Sequence, residues 1–191
     1  MISALALVVL FTALAVQFDR LRPGNKQKRL RLVFIAAVFL VSAYFVYLVA
    51  AQYSMWSRDG SLGKYLVPPY KGIGYVVQYC FIRFGVYYAI SLASALVFLF
   101  SAQKLNAKFG KRFFEPEEPY LGALAVFLLG NPAWRWAWIW YIGAMLVIAT
   151  LVTSYHFLIT KENRRFSLYR LWLPAALLVI IINELVDLLT S

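Results

Sequence analysis

The chain has 191 residues, of which 63% are hydrophobic and 14% are charged, and its net charge at pH 7 is +11. This composition leaves too little polar surface to cover a soluble globule of that size. It therefore excludes a soluble domain and predicts one compact all-α integral membrane domain over residues 1–191, in contact with the lipid bilayer. A single cysteine, Cys80, excludes an internal disulfide and a paired-cysteine redox site.

Basic residues are concentrated in three gaps between apolar stretches. Of the nineteen Lys and Arg residues, six lie in residues 18–31, four in residues 102–118 and four in residues 161–170. Because short loops rich in Lys and Arg stay in the cytoplasm, these gaps are predicted to be cytoplasmic and the N-terminus to lie outside. The positive charge then sets the orientation in the membrane and attracts lipid headgroups, and nucleic acid is not an expected partner.

The apolar stretches predict six transmembrane helices with both termini outside, since a span needs about 20 apolar residues. The predicted helices cover about residues 2–18, 32–54, 84–103, 119–131, 137–160 and 166–188. The stretch before the third helix is interrupted by Arg83 and Gly85, so Tyr75–Ile82 is placed in the outer interface. Pro174 is read as a kink in the last helix.

The fourth apolar stretch is too short for an ordinary span. Tyr120–Gly130 has eleven residues before Asn131 and Pro132. At a rise of about 1.5 Å per residue it covers roughly half of the hydrocarbon thickness. It is therefore either a short span in a thinned site or a half-helix packed within the bundle.

Arg83 is the charged residue that interrupts an apolar stretch. A charged side chain inside the membrane is costly unless it has a partner. The simplest way to offset this cost is a structural ion pair with Glu184 or Asp187, which lie toward the outer end of the last helix.

Four of the eight acidic residues lie at the cytoplasmic ends of helices. Asp19 follows the first helix, and Glu115, Glu117 and Glu118 precede the fourth. Two carboxyl groups brought close together cannot both ionise, and a shared proton lets one act as a base on water while the other acts as an acid. The other interpretation is structural: Asp19 balances the neighbouring arginines, and the glutamates cap the N-terminus of a helix.

Three short stretches carry a resemblance to a known family. They are Asp-Arg-Leu-Arg-Pro-Gly-Asn at 19–25, Phe-Glu-Pro-Glu-Glu-Pro-Tyr-Leu-Gly-Ala-Leu-Ala at 114–125, and Arg164-Arg165 followed by Leu-Pro-Ala-Ala at 173–176. Their order along the chain and their predicted cytoplasmic side resemble those of the corresponding segments in bacterial type IV prepilin peptidases and archaeal preflagellin peptidases. The second stretch occupies the place of that family's Gly-x-Gly-Asp segment.

The resemblance implies an aspartic-type endopeptidase with an acid dyad in the prokaryotic cytoplasmic membrane. Such an enzyme cleaves the basic leader of a pilin-like precursor at the cytoplasmic face. Asp19 and Glu117 would activate water, with Glu118 as the substitute for either, and Glu115 would help to attract the positively charged substrate. No metal and no organic cofactor is implied.

The chain also departs from the family pattern. Glu117 stands where the family has an aspartate between glycines, Pro116 precedes it, and the lysine of the motif is missing. A divergent or inactive member is therefore one of the alternatives, and the sequence leaves open which glutamate faces Asp19. Two other functions stay open: a noncatalytic membrane scaffold subunit of a pilus or secretion system, and a small-solute transporter. The oligomeric state is not fixed by the sequence.

Overall fold

The computed structural model describes residues 2–19, 25–58, 62–110, 114–134, 136–155, 158 and 167–190. All regular secondary structure in these ranges is helical. The α-helices are α1 (Ile2–Phe18), α2 (Lys26–Trp56), α3 (Ile73–Cys80), α4 (Val86–Lys108), α5 (Glu118–Leu128), α6 (Ala137–Tyr155) and α7 (Trp172–Thr190). A π-helical turn, Phe81–Gly85, joins α3 to α4, and short 3-10 turns occupy Leu62–Leu66 and Pro132–Trp134.

Three continuous helical segments are long and apolar enough to cross a bilayer. They are α2 with 31 residues, the α3–α4 segment Ile73–Lys108 with 36 residues, and α6 with 19 residues. Their outward faces carry large apolar side chains, such as Phe39 and Trp140 with 71% and 78% of their surface exposed. Such faces are stable against lipid and unstable against water. The three segments indicate a membrane protein.

Helix α5 lies at the centre of the bundle. It packs against α1, α2, α4, α6 and α7, and every residue from Leu121 to Asn131 is buried. Its 11 residues cover only about 17 Å, which is roughly half of the hydrocarbon thickness. The structure shows this short helix packed within the bundle.

Helix α4 and the turn that follows α5 lie close together at Gly130. A Cβ atom at this position would lie 1.9 Å from Ser91 Oγ and 2.5 Å from Ser91 Cβ. The Ser91 hydroxyl is itself placed between two backbone carbonyls, 3.1 Å from Tyr88 O and 3.2 Å from Phe127 O. Only glycine fits at residue 130 without displacing this contact.

Three boundaries differ from the sequence prediction. Helix α2 already begins at Lys26, and α7 begins at Trp172, which puts Pro174 in its first turn, where proline needs no kink. The interruption predicted at Arg83 and Gly85 is a π-helical turn inside one continuous segment. Before this turn, α3 packs its aromatic face on α2, where Trp56 contacts the rings of Tyr75 and Tyr79 at 6.3 and 5.0 Å.

Candidate functional site

A polar cleft of about 470 Å³ lies at the end of the bundle that carries the basic gaps. It is lined by Gln17, Phe18, Lys26, Glu115, Ser167, Tyr169 and Arg170. These residues come from the end of α1, the start of α2, the turn before α5 and the segment before α7. The cleft therefore brings together the chain segments that carry or adjoin the three family-like stretches.

Glu118 is a buried carboxylate behind this cleft. Only 2% of its surface is exposed, because it lies in the first turn of the buried helix α5. Its Oε1 accepts a hydrogen bond of 2.9 Å from the Ser167 hydroxyl, and its Oε2 accepts one of 3.1 Å from the Glu115 backbone N–H. The second bond closes the turn that precedes α5. Glu118 thus fastens the segment before α7 to the start of α5.

Asp19 forms an ion pair with Arg29. The distance between Oδ2 and Nη1 is 2.5 Å, and the two side chains are 24% and 28% exposed, respectively. Arg29 lies in the first turns of α2, so the pair closes the α1–α2 connection. The arginines beside Asp19 in the sequence, Arg20 and Arg22, lie outside the described residues.

Tyr169 connects the end of α1 with the glutamates before α5. Its hydroxyl donates a hydrogen bond of 3.1 Å to the Gln17 carbonyl, and the Gln17 side-chain amide donates one to the Tyr169 carbonyl. Burial, and then the carboxylates of Glu117 and Glu115, raise the pKa of Tyr169 to about 12. Tyr169 is therefore a protonated donor at neutral pH, and Glu117 lies within electrostatic reach of it.

Three residues of this cleft were missed by the sequence reasoning: Gln17, Ser167 and Tyr169. Each is a common polar residue at the edge of an apolar stretch, and none belongs to a motif. Gln17 and Tyr169 are 152 positions apart, so only the folded chain reveals that they meet.

The predicted ion pair of Arg83 with Glu184 is not formed. Glu184 instead accepts a hydrogen bond of 2.9 Å from the indole N–H of Trp134, which the turn after α5 brings to α7. Arg83 is exposed on the π-helical turn. The side chain of Asp187 lies outside the described residues, so its pairing with Arg83 stays a prediction.

Chemically, the cleft combines acidic and basic groups. Glu115, Lys26 and Arg170 line it, Tyr169 supplies a hydroxyl donor, and Glu117 lies close enough to influence the pKa of Tyr169. Such a surface suits a charged peptide, and its carboxyl groups can exchange protons with water. Across the described ranges, no three His, Cys, Asp or Glu side chains are grouped to hold a metal ion.

A second cavity, of about 350 Å³, lies between α1, α2 and the π-helical turn. Its walls are apolar, with Val38, Phe45, Phe81 and Phe127 among them. It lacks the converging polar groups that a carrier of polar solutes needs within the membrane. It therefore gives no support to the transporter alternative.

The chain matches no protein-family model, no curated protein and no solved structure. The resemblance to prepilin peptidases therefore rests on the three quoted stretches alone.

Proposed function

We propose that the protein is a divergent prepilin-peptidase-like membrane endopeptidase whose acid pair is Asp19 and Glu117. One observation carries this proposal: the segments that hold the two acids converge at one polar cleft. Tyr169 bonds to Gln17, two residues before Asp19, and its pKa responds to Glu117. A cap or counter-charge role alone does not require that these two segments meet.

In this proposal the two acids take different parts in hydrolysis. The guanidinium of Arg29 favours the ionised form of Asp19, so Asp19 takes a proton from water as the water attacks the peptide carbonyl. Glu117 is the general acid and gives a proton to the leaving nitrogen. Glu118 is a positioning residue, because both of its oxygens already hold the backbone and hydroxyl groups around the cleft.

The substrate is a basic leader peptide at the cytoplasmic face of the prokaryotic cytoplasmic membrane. Glu115 lines the cleft and attracts positive charge. This attraction weakens as salt rises, because exposed charges are screened over about 10 Å at 0.1 M.

The test is cleavage of a co-expressed pilin-like precursor from the same genome. We expect Asp19→Asn and Glu117→Gln each to lower the cleavage rate at least about a hundredfold, the usual contribution of a general acid or base. Asp187→Asn, the same chemical change on α7, is the matched control and keeps the wild-type rate. Equal rates for the wild type and both acid variants would refute the acid pair.

The second candidate is a noncatalytic scaffold subunit of a pilus or secretion system. The specific observation in its favour is that the contacts of Asp19 with Arg29 and of Glu118 with Ser167 are structural. If the intact, verified protein fails to process a suitable precursor, the scaffold replaces the peptidase.

A further inference from the structure

Gln17 carries a buried side-chain oxygen that lacks a hydrogen-bond donor. The residue lines the polar cleft, and only 2% of its surface is exposed. Its amide nitrogen donates to the Tyr169 carbonyl, which fixes the orientation of the amide group. Among the residues that the structure describes, Gln17 Oε1 then has no partner. Because a buried acceptor without a donor is costly, this oxygen requires an N–H or O–H group that the chain itself does not supply.

The donors that line the cleft beside Gln17 already have acceptors. The Ser167 hydroxyl donates to Glu118 Oε1 at 2.9 Å. The Tyr169 hydroxyl and the Lys26 ammonium donate to the backbone carbonyl of Gln17 at 3.1 and 3.3 Å. These three bonds leave the side-chain oxygen of Gln17 unsatisfied. The cleft therefore presents an acceptor to whatever binds there.

Glu115 adds a second requirement, which is positive charge. It lines the same cleft, and in the described part of the chain its carboxylate forms no ion pair. Lys26 and Arg170, also in the walls, can donate hydrogen bonds to carbonyl oxygens, because each carries several N–H groups. The cleft thus suits a ligand that combines N–H groups, carbonyl oxygens and a positive charge.

We infer that Gln17 binds the main chain of the basic leader peptide, with its Oε1 accepting a hydrogen bond from one backbone N–H of that peptide. A peptide carries an N–H and a carbonyl at each residue other than proline, and a basic side chain supplies the charge that Glu115 attracts. A lipid phosphate offers acceptors only and leaves both Gln17 and Glu115 unpaired. The inference rests on the proposed function, because it takes the leader peptide as the ligand.

The first experiment measures binding without cleavage. The probe is the leader of the precursor used in the cleavage test, labelled with fluorescein and ending before the cleavage site. Fluorescence anisotropy gives its affinity for the full-length protein in phosphatidylglycerol nanodiscs. Each peptide bond of the leader is replaced in turn by an ester, which removes one N–H. We expect one ester to lower the affinity at least about fivefold, the usual size of one buried hydrogen bond.

The second experiment identifies the partner of that N–H. Gln17→Met has a side chain of similar length without the oxygen. In this variant the sensitive ester should bind as well as the unmodified leader, because the missing N–H no longer has a partner. The comparison cancels the loss of the bond to the Tyr169 carbonyl, which affects both peptides equally. Gln103→Met, the same change at an exposed position of α4, is the matched control and keeps the fivefold difference.

Four outcomes would overturn the inference. The first is no binding of the unmodified leader, and the second is a wild type whose affinity no ester lowers. Neither of these needs a variant, so they decide the matter if Gln17→Met fails to fold. The third is a sensitive ester with the same effect in Gln17→Met. The fourth is peptide binding that phosphatidylethanolamine nanodiscs abolish in the wild type but not in Gln17→Met, which would identify an amino lipid as the ligand.

These results are separable from the test of the peptidase. Cleavage of the precursor together with an ester effect that is independent of Gln17 would refute the role of Gln17 and leave the acid pair in place. An ester effect that depends on Gln17, without cleavage by the verified protein, would support the peptide site and refute the peptidase.

Discussion

Tyr169 shows how single polar residues fix the cleft. Its hydroxyl and its carbonyl both bond to Gln17, while Lys26 donates a further hydrogen bond of 3.3 Å to the Gln17 carbonyl. The end of α1 is thereby held against the segment before α7, and the start of α2 is held to the end of α1. Because two of these bonds satisfy the Gln17 carbonyl at the C-terminal end of α1, these residues stabilise the bundle as well as shape the cleft.

The raised pKa of Tyr169 has a consequence for stability at alkaline pH. Tyrosine ordinarily titrates near 10, and here the pKa is raised to about 12. The folded state therefore favours the protonated phenol. Its contribution to stability is complete below pH 10 and is lost as the pH rises from about 10 to about 12.

We predict that the difference in phenolate absorbance between the wild type and Tyr169→Phe titrates with a midpoint near 12. Glu117→Gln should lower this midpoint toward 10, because it removes a negative charge that disfavours the phenolate. Glu115→Gln should act in the same direction. A midpoint near 10 in the otherwise unchanged protein would contradict the proximity of Tyr169 to these glutamates.

At the scale of elements, the short helix α5 is the one on which the others pack. Its length and its apolar character can be read from the amino-acid pattern, and they limit the helix to about half of the hydrocarbon thickness. They do not decide between a thinned site and a buried half-helix, because that depends on which helices surround it. Likewise, Arg83 and Gly85 marked an interruption, but the π-helical turn is a change in hydrogen-bond register that composition does not encode.

The contact of α5 with α4 leads to a prediction for Gly130→Ala. The new Cβ would lie 1.9 Å from Ser91 Oγ and 3.0 Å from the Phe127 carbonyl. We expect a loss of about 1–3 kcal/mol in the free energy of unfolding, the usual cost of overpacking. Thermal unfolding in detergent measures this loss.

Two further variants define the cause of that loss. Gly143→Ala is the control, because nothing lies within 4 Å of a Cβ at that position, and we expect no destabilisation. Ser91→Gly combined with Gly130→Ala removes the two closest clashing atoms and should recover part of the stability. Equal stabilities of Gly130→Ala and Gly143→Ala would show that α4 and α5 are not in close contact at this point.

At the scale of the whole molecule, composition predicted the class of protein, and three candidate spanning segments agree with it. The clustering of Lys and Arg predicted which helix ends lie together, and the polar cleft is at that end. The pairing of Asp19 with Arg29 and of Glu184 with Trp134 was not predictable, because each depends on how the helices rotate about their axes. That rotation is set by packing, as in the contact of Ser91 with Gly130.

Orientation in the membrane remains a prediction from charge, and α2 offers a direct test of it. The helix has 31 residues and is about 46 Å long, so both of its ends extend beyond a hydrocarbon layer of about 30 Å. Gln27 and Ser57 are exposed at its two ends. In a Cys80→Ser background, we expect a membrane-impermeant maleimide to label Ser57→Cys in intact cells and Gln27→Cys only after lysis. The reverse pattern would place the polar cleft outside the cell, where a cytoplasmic leader peptide cannot reach it.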